Sequence, residues 1–139
     1  MLIKIGVFIG LCILVSCQPY YVTYNTIGKL EKGMTPERVY EITKTEESDR
    51  VLFTMKVNGI SYDVGVVKLQ TGISTTTYNS GNKLPMTGST VTNYHTNNLY
   101  LLYHNGKLRY WGMRNEYSKS DDPEIFALAP ILYNYTNND

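Results

Sequence analysis

Arg50-Val-Leu-Phe-Thr-Met-Lys-Val57-Asn58-Gly59-Ile60-Ser-Tyr-Asp-Val-Gly-Val66 decides the fold. Asn-Gly between two apolar runs is the strongest short-range signal for a two-residue β-hairpin turn. Such a turn sets the pairing: Val57 opposite Ile60, Met55 opposite Tyr62, Phe53 opposite Val64, Val51 opposite Val66. These eight residues share one face, while Thr54, Lys56, Ser61 and Asp63 share the other. Turn and apolar pattern are independent signals, and they specify one register. At Val66-Val67 the alternation slips, and Val67 and Leu69 take over. A β-bulge is predicted there.

A second Asn-Gly pair, Asn105-Gly106, joins Leu99–His104 to Lys107–Met113. A regular ladder pairs Tyr103 with Leu108, Leu101 with Tyr110 and Leu99 with Gly112. That face is expected to join the first hairpin's core. The opposite face then carries His104 and Lys107, Leu102 and Arg109, and Tyr100 and Trp111. Tyr100, Leu102, Arg109 and Trp111 form the candidate partner-binding patch, since an aromatic beside an Arg on an open sheet face makes a hot spot. The competing reading is that a helix covers this face and that it is core.

Two helix starts flank the hairpins. Thr35 is an N-cap, Pro36 fits the first helical position, and Glu37 complements the helix dipole. Met34 and Val39 stand where a hydrophobic staple would place them. This helix is short and ends near Lys44. Asp122, Pro123 and Glu124 repeat the pattern after a polar break at 118–121. Ile125, Leu128, Ala129 and Leu132 follow at i, i+3, i+4 and i+7, one apolar stripe. Pro130 predicts a kink there or a stop near Ala129. Residues 134–139 read as a frayed tail. Residues 71–98, rich in Thr, Ser, Asn and Gly, read as a long polar loop with a weak strand at Ser89–Tyr94.

Together these elements predict an α+β fold, a small antiparallel sheet of two hairpins with helices packed on one face. Residues 27–139 form the single domain, and residues 17–26 a tether.

The N-terminus carries an address. Lys4, the apolar run Ile5–Val15 and the small Ser16 are the parts of a secretory signal, residues 1–16. Ile5–Ser16 is 12 residues, and a membrane span needs about 20. Leu14-Val15-Ser16-Cys17 resembles the lipobox of bacterial lipoproteins. In that family the Cys is acylated and becomes the new N-terminus, which implies lipid attachment at Cys17 and a membrane partner through that lipid. The rival is an ordinary secretory signal with an incidental Cys. The absence of Asp after Cys17 favours an outer-membrane address.

The chain has 139 residues, with 13 Lys and Arg against 12 Asp and Glu. Lys4 lies in the signal, so residues 17–139 are formally neutral. No basic excess exists to attract phosphate, which argues against nucleic acid. Cys12 and Cys17 are the two cysteines, so the domain holds no disulfide pair. His95 and His104 lack partners at metal-ligand spacing. No nucleophile, phosphate-loop or dinucleotide motif appears. The expectation is a non-enzyme with no metal and no cofactor.

Leu30-Glu-Lys-Gly33-Met34-Thr35-Pro-Glu-Arg-Val39 resembles the "L-x-x-G-M-T-x-x-x-V" opening of the SmpA/OmlA, or BamE-like, lipoproteins. Leu99–Leu108 is similar to that family's later strand, turn and strand. The resemblance covers about half of residues 17–139. Two departures stand beside it. The family's Gly-x-Pro after the helix is replaced by Thr43-Lys44-Thr45, and the 71–98 segment and the helix from Asp122 are additional. The resemblance implies helices followed by antiparallel strands, and an envelope lipoprotein that binds other proteins in outer-membrane assembly or maintenance. The alternatives are a carbohydrate or small-ligand capture lipoprotein stacking sugars on Tyr100 and Trp111, and a structural envelope protein with the 71–98 loop as spacer.

Overall fold

The computed structural model describes residues 21–78 and 89–136. The elements are α1 (Tyr24–Ile27), α2 (Pro36–Thr43), a 3-10 turn (Glu47–Asp49), β1 (Val51–Val57), β2 (Ile60–Tyr78), β3 (Ser89–His104), β4 (Lys107–Met113), α3 (Arg114–Tyr117) and α4 (Pro123–Thr136). The four strands form one antiparallel sheet in the order β1-β2-β3-β4. The class is α+β.

Both predicted turns form. Asn58 and Gly59 have φ of 51° and 80°, and Asn105 and Gly106 have 50° and 71°, the left-handed pair that a type I′ hairpin requires. The first hairpin has all four predicted pairs, from Val57–Ile60 to Val51–Val66. α2 runs from Pro36 to Thr43, with the Thr35 hydroxyl accepting from the Arg38 N–H and Lys44 closing it in the left-handed conformation.

The layering differs from the expected single covered face. One face carries Met55, Tyr62, Val64, Tyr100 and Leu102, packed against Tyr117 of α3 and Ile125, Leu128, Ala129 and Leu132 of α4. The other carries Val67, Leu69, Leu99, Leu101, Tyr103 and Leu108, packed against Val22, Leu30 and Val39. Helices cover both faces. Val66 and Val67 therefore point into two different cores, and the slip in alternation marks where burial on β2 passes from one face to the other rather than a bulge; Lys68, next on the Val66 face, is exposed. The registers shift elsewhere, between Gln70 and Gly72 and between Leu102 and Tyr103. Alternation survives in β1, where Leu52, Thr54 and Lys56 are exposed.

Three further expectations are corrected. Residues 71–78 and 95–98 are not loop, and the weak strand expected at Ser89–Tyr94 is part of β3: β2 and β3 stay paired from Gly72–His95 to Tyr78–Ser89. β-branched Thr suits a strand as well as a loop, and cross-strand pairing decided between them. Positions 79–88 of the predicted loop lie outside the described residues. The tether is docked over 21–26. Val22 donates to the Lys68 carbonyl at 3.0 Å, and its own carbonyl accepts from Gln70 at 2.8 Å, filling the edge of β2 beyond the end of β1. α4 passes through Pro130 to Thr136; Pro130 is exposed, so the carbonyl deprived of its N–H donor is on the solvent side.

Two-sided cover makes a stability prediction. Leu128 and Leu69 are 0% and 1% exposed on opposite faces, while Leu52 is 54% exposed. Urea unfolding should show Leu128→Ala and Leu69→Ala each costing about 2–5 kcal/mol. Leu52→Ala should cost less than about 0.5 kcal/mol. A Leu69→Ala effect as small as that of Leu52→Ala contradicts the second layer.

Candidate functional site

The four residues predicted to form a patch do not share a surface. β4 pairs regularly through Tyr103–Leu108, then shifts, so that Leu102 faces Tyr110, Leu101 faces Trp111 and Tyr100 faces Gly112. Arg109 is the extra residue. Beyond it every β4 side chain changes face relative to an unbroken ladder. Tyr110 joins Tyr100 and Leu102 under α3 and α4, while Trp111 packs into the opposite core. Tyr100 and Leu102 are buried, at 3% and 0% exposure. The first hairpin's apolar face thus continues into Tyr100 and Leu102, not into Leu99, Leu101 and Tyr103 as expected.

The bulge gives Arg109 a structural role. Its guanidinium reaches Glu124, and it meets Asp122 at 3.4 Å and the Tyr62 hydroxyl at 3.5 Å. The Tyr62 hydroxyl donates to Glu124 Oε2 at 2.7 Å. Asp122 Oδ1 also accepts from the Glu124 N–H, capping α4 as predicted. Four polar side chains thereby fasten the start of α4 to the turn end of the sheet. The Tyr62 and Arg109 hydrogen bonds hold the Glu124 carboxyl below its ordinary value. Burial, with Glu124 adding to it, pushes the Tyr62 phenol up. Partial burial is the largest single influence on Arg109 and opposes its charge, but the bond to Glu124 together with the Glu124, Tyr62 and Asp122 charges outweighs it and holds the guanidinium above its ordinary value.

A tyrosine cluster holds α3. The Tyr117 hydroxyl donates to the Tyr100 carbonyl at 2.9 Å, and the Tyr110 and Tyr117 rings meet edge to face at 4.8 Å. Burial pushes the Tyr117 phenol well up, and does the same to Tyr103 and Tyr110. Neutral, buried and hydrogen-bonded, Tyr117 is a core residue.

No family model, curated protein or solved structure matches this chain. Among the described residues no group of three or more His, Cys, Asp and Glu is placed to hold a metal, and no helix is long and apolar enough to cross a membrane. His95 bonds Ser74 on the neighbouring strand at 3.0 Å, and His104 lies against the Tyr62 ring.

The surface that stands out lies on the outer side of α4. Arg114, Ser118, Phe126, Ala129, Pro130, Tyr133 and Asn134 line an open groove of about 400 Å³ between α3 and α4. Phe126 and Tyr133 are 56% and 52% exposed, and the Arg114 guanidinium lies 4.4 Å over the Tyr133 ring. Phe126, Pro130 and Tyr133 follow at i, i+4 and i+7, one side of a helix. α4 therefore has two apolar sides, one spent on the core. The signal was in the sequence: apolar residues of the 123–136 segment that the inner stripe does not use.

The Arg109 cluster makes a pH prediction. A carboxyl held low when folded stabilises above the ordinary carboxylate range and loses that contribution as pH falls through its folded value. Glu124→Gln should therefore lower the melting temperature at neutral pH, with the difference from the native chain closing as pH falls below the ordinary carboxylate range. A difference that is constant across that range contradicts the arrangement.

Proposed function

We propose that this chain is a lipid-anchored cell-envelope protein whose folded domain binds other proteins and catalyses nothing. The observation that carries the binding half is the second apolar side of α4. A helix apolar all round is normally buried. A groove with two half-exposed aromatics and an adjacent Arg has the composition of an interface hot spot. The occupant it fits is an apolar side chain of another envelope protein, set between Phe126 and Tyr133. The anchoring half rests on the lipobox, whose Cys17 lies outside the described residues, and the outer membrane is the proposed address.

We also propose kinship with the SmpA/OmlA lipoproteins, and with it a role in outer-membrane assembly or maintenance. Support comes from what the two resembling segments do. Leu30 is buried, Gly33 has φ of 92° and donates its N–H to the Leu108 carbonyl at 2.7 Å, and the Met34 carbonyl accepts from the Leu108 N–H at 2.7 Å. The Gly-Met-Thr segment thus closes the outer edge of β4 and then caps α2. The two segments, about 70 residues apart in the chain, bond to each other. Short helices precede the antiparallel strands, in the family's order.

Sugar capture loses its basis, because Tyr100 is buried and Trp111 is on the other face. In intact cells, a photo-crosslinker at Asn134 should capture a defined set of envelope proteins that includes barrel-assembly components. Phe126→Ala should weaken that capture about tenfold or more, with the circular dichroism spectrum unchanged. Recovery of lipid alone, or a capture pattern indifferent to Phe126→Ala, overturns the proposal.

A further inference from the structure

Beyond the Val22–Leu69 bridge, among the described residues only β2 and β3 continue, as a two-stranded arm. Its seven pairs, Gly72–His95 to Tyr78–Ser89, extend it about 24 Å. A two-stranded ribbon is marginal in water without an apolar surface against it. Natural sheets guard free edges with charge, Lys above all. Segments 71–78 and 89–98 contain no Asp, Glu, Lys or Arg. They expose Ile73 at 58% and Tyr94 at 45%. These two are direct cross-strand partners and so share one face. The Tyr21 ring lies 5.6 Å from that of Tyr94, which extends the strip to the point where the described chain begins.

The chain preceding this point sets the neighbour. Val22 is bonded to β2 on both sides and gives no slack. Three residues, 18–20, separate Cys17 from Tyr21. Even fully extended they allow about 14 Å between those two Cα atoms. An acylated Cys17 therefore brings the base of the arm to the lipid surface. The Asn-Gly turns, with Lys56 beside the first, are at the opposite end of the sheet.

We propose that the arm lies on the bilayer, with Tyr21, Ile73 and Tyr94 in its interfacial layer. The inference rests on the lipid anchor at Cys17. Tyr is the residue of membrane interfaces, apolar in body and polar at its tip. A strip without charge takes its affinity from apolar burial, so its contact is indifferent to salt and to anionic lipid.

The test uses the acylated chain in phosphatidylcholine vesicles. With the Cys17 sulfur carrying lipid, a cysteine introduced by Ile73→Cys, Tyr94→Cys or Lys56→Cys is the only free thiol of residues 17–139. Each variant is labelled with the environment-sensitive fluorophore NBD, and intact mass is measured in parallel. Emission at 73 and at 94 should fall by roughly half or more with nitroxide-bearing lipid, while emission at 56 stays unchanged. Acylated protein with no quenching at either arm position overturns the arm proposal and leaves the anchor standing. Label-to-label quenching between copies, without lipid quenching, overturns it in favour of arm-to-arm pairing. An intact mass without acyl groups removes the anchor and the arm proposal with it.

Discussion

A β-strand turns successive side chains to opposite faces, so two adjacent apolar residues commit a sheet to two cores. Val66 and Val67 make that commitment. Before them the first hairpin is polar on one side and needs a single cover. Opposite them β3 is buried on both faces from Leu99 to Tyr103, while β2 beyond Val67 buries only the side of Val67 and Leu69 and leaves Lys68 to water. Each fully buried Leu or Val contributes about 1.5–3 kcal/mol only if something apolar meets it. Hence α3 and α4 lie on one face and α1, α2 and the Val22 segment on the other. The short helices are too small to stand alone, and the sheet cannot be soluble without them.

The register depends on two turns and one bulge. The Asn-Gly turns allow a single pairing at their end of the sheet. The bulge at Arg109 then exchanges the faces of Tyr110 and Trp111, and sends a guanidinium to Tyr62, Asp122 and Glu124. A bulge of one residue thus both fills the core beneath α3 and latches the first turn of α4.

The first hairpin, the α2 boundaries and the inner stripe of α4 were legible because local chemistry decides each: Asn58-Gly59, Thr35-Pro36, and Ile125 to Leu132 at helical spacing. The candidate patch was not legible. Nothing in Lys107–Met113 announces an unpaired residue, and one residue is enough to separate Trp111 from Tyr100. The arm was hidden for another reason. Thr and Asn at 71–98 suit loops and exposed strands alike, and the pairing between β2 and β3 that decides is not local. The 17–26 segment looked like tether because one buried residue, Val22, leaves no periodic trace.

On the proposed functional reading the molecule has two unlike ends and a working side. The arm and Tyr21 mark the end nearest the anchor, the Asn-Gly turns mark the far end, and the outer side of α4 presents Phe126 and Tyr133. The arm and the outer side of α4 are apolar or aromatic surface left over once the two cores are filled, the material of contact.

The sheet, doubly covered and continued into a paired arm, is tested most directly by hydrogen–deuterium exchange of the full chain. The account predicts the slowest exchange in residues 62–67 and 99–103, covered on both faces. It predicts measurable protection at alternate amides of 72–78 and 90–96, as an antiparallel ribbon bonds every second N–H to its partner. Complete exchange of 72–78 and 90–96 at the earliest time, with 62–67 as labile as β1, would contradict it.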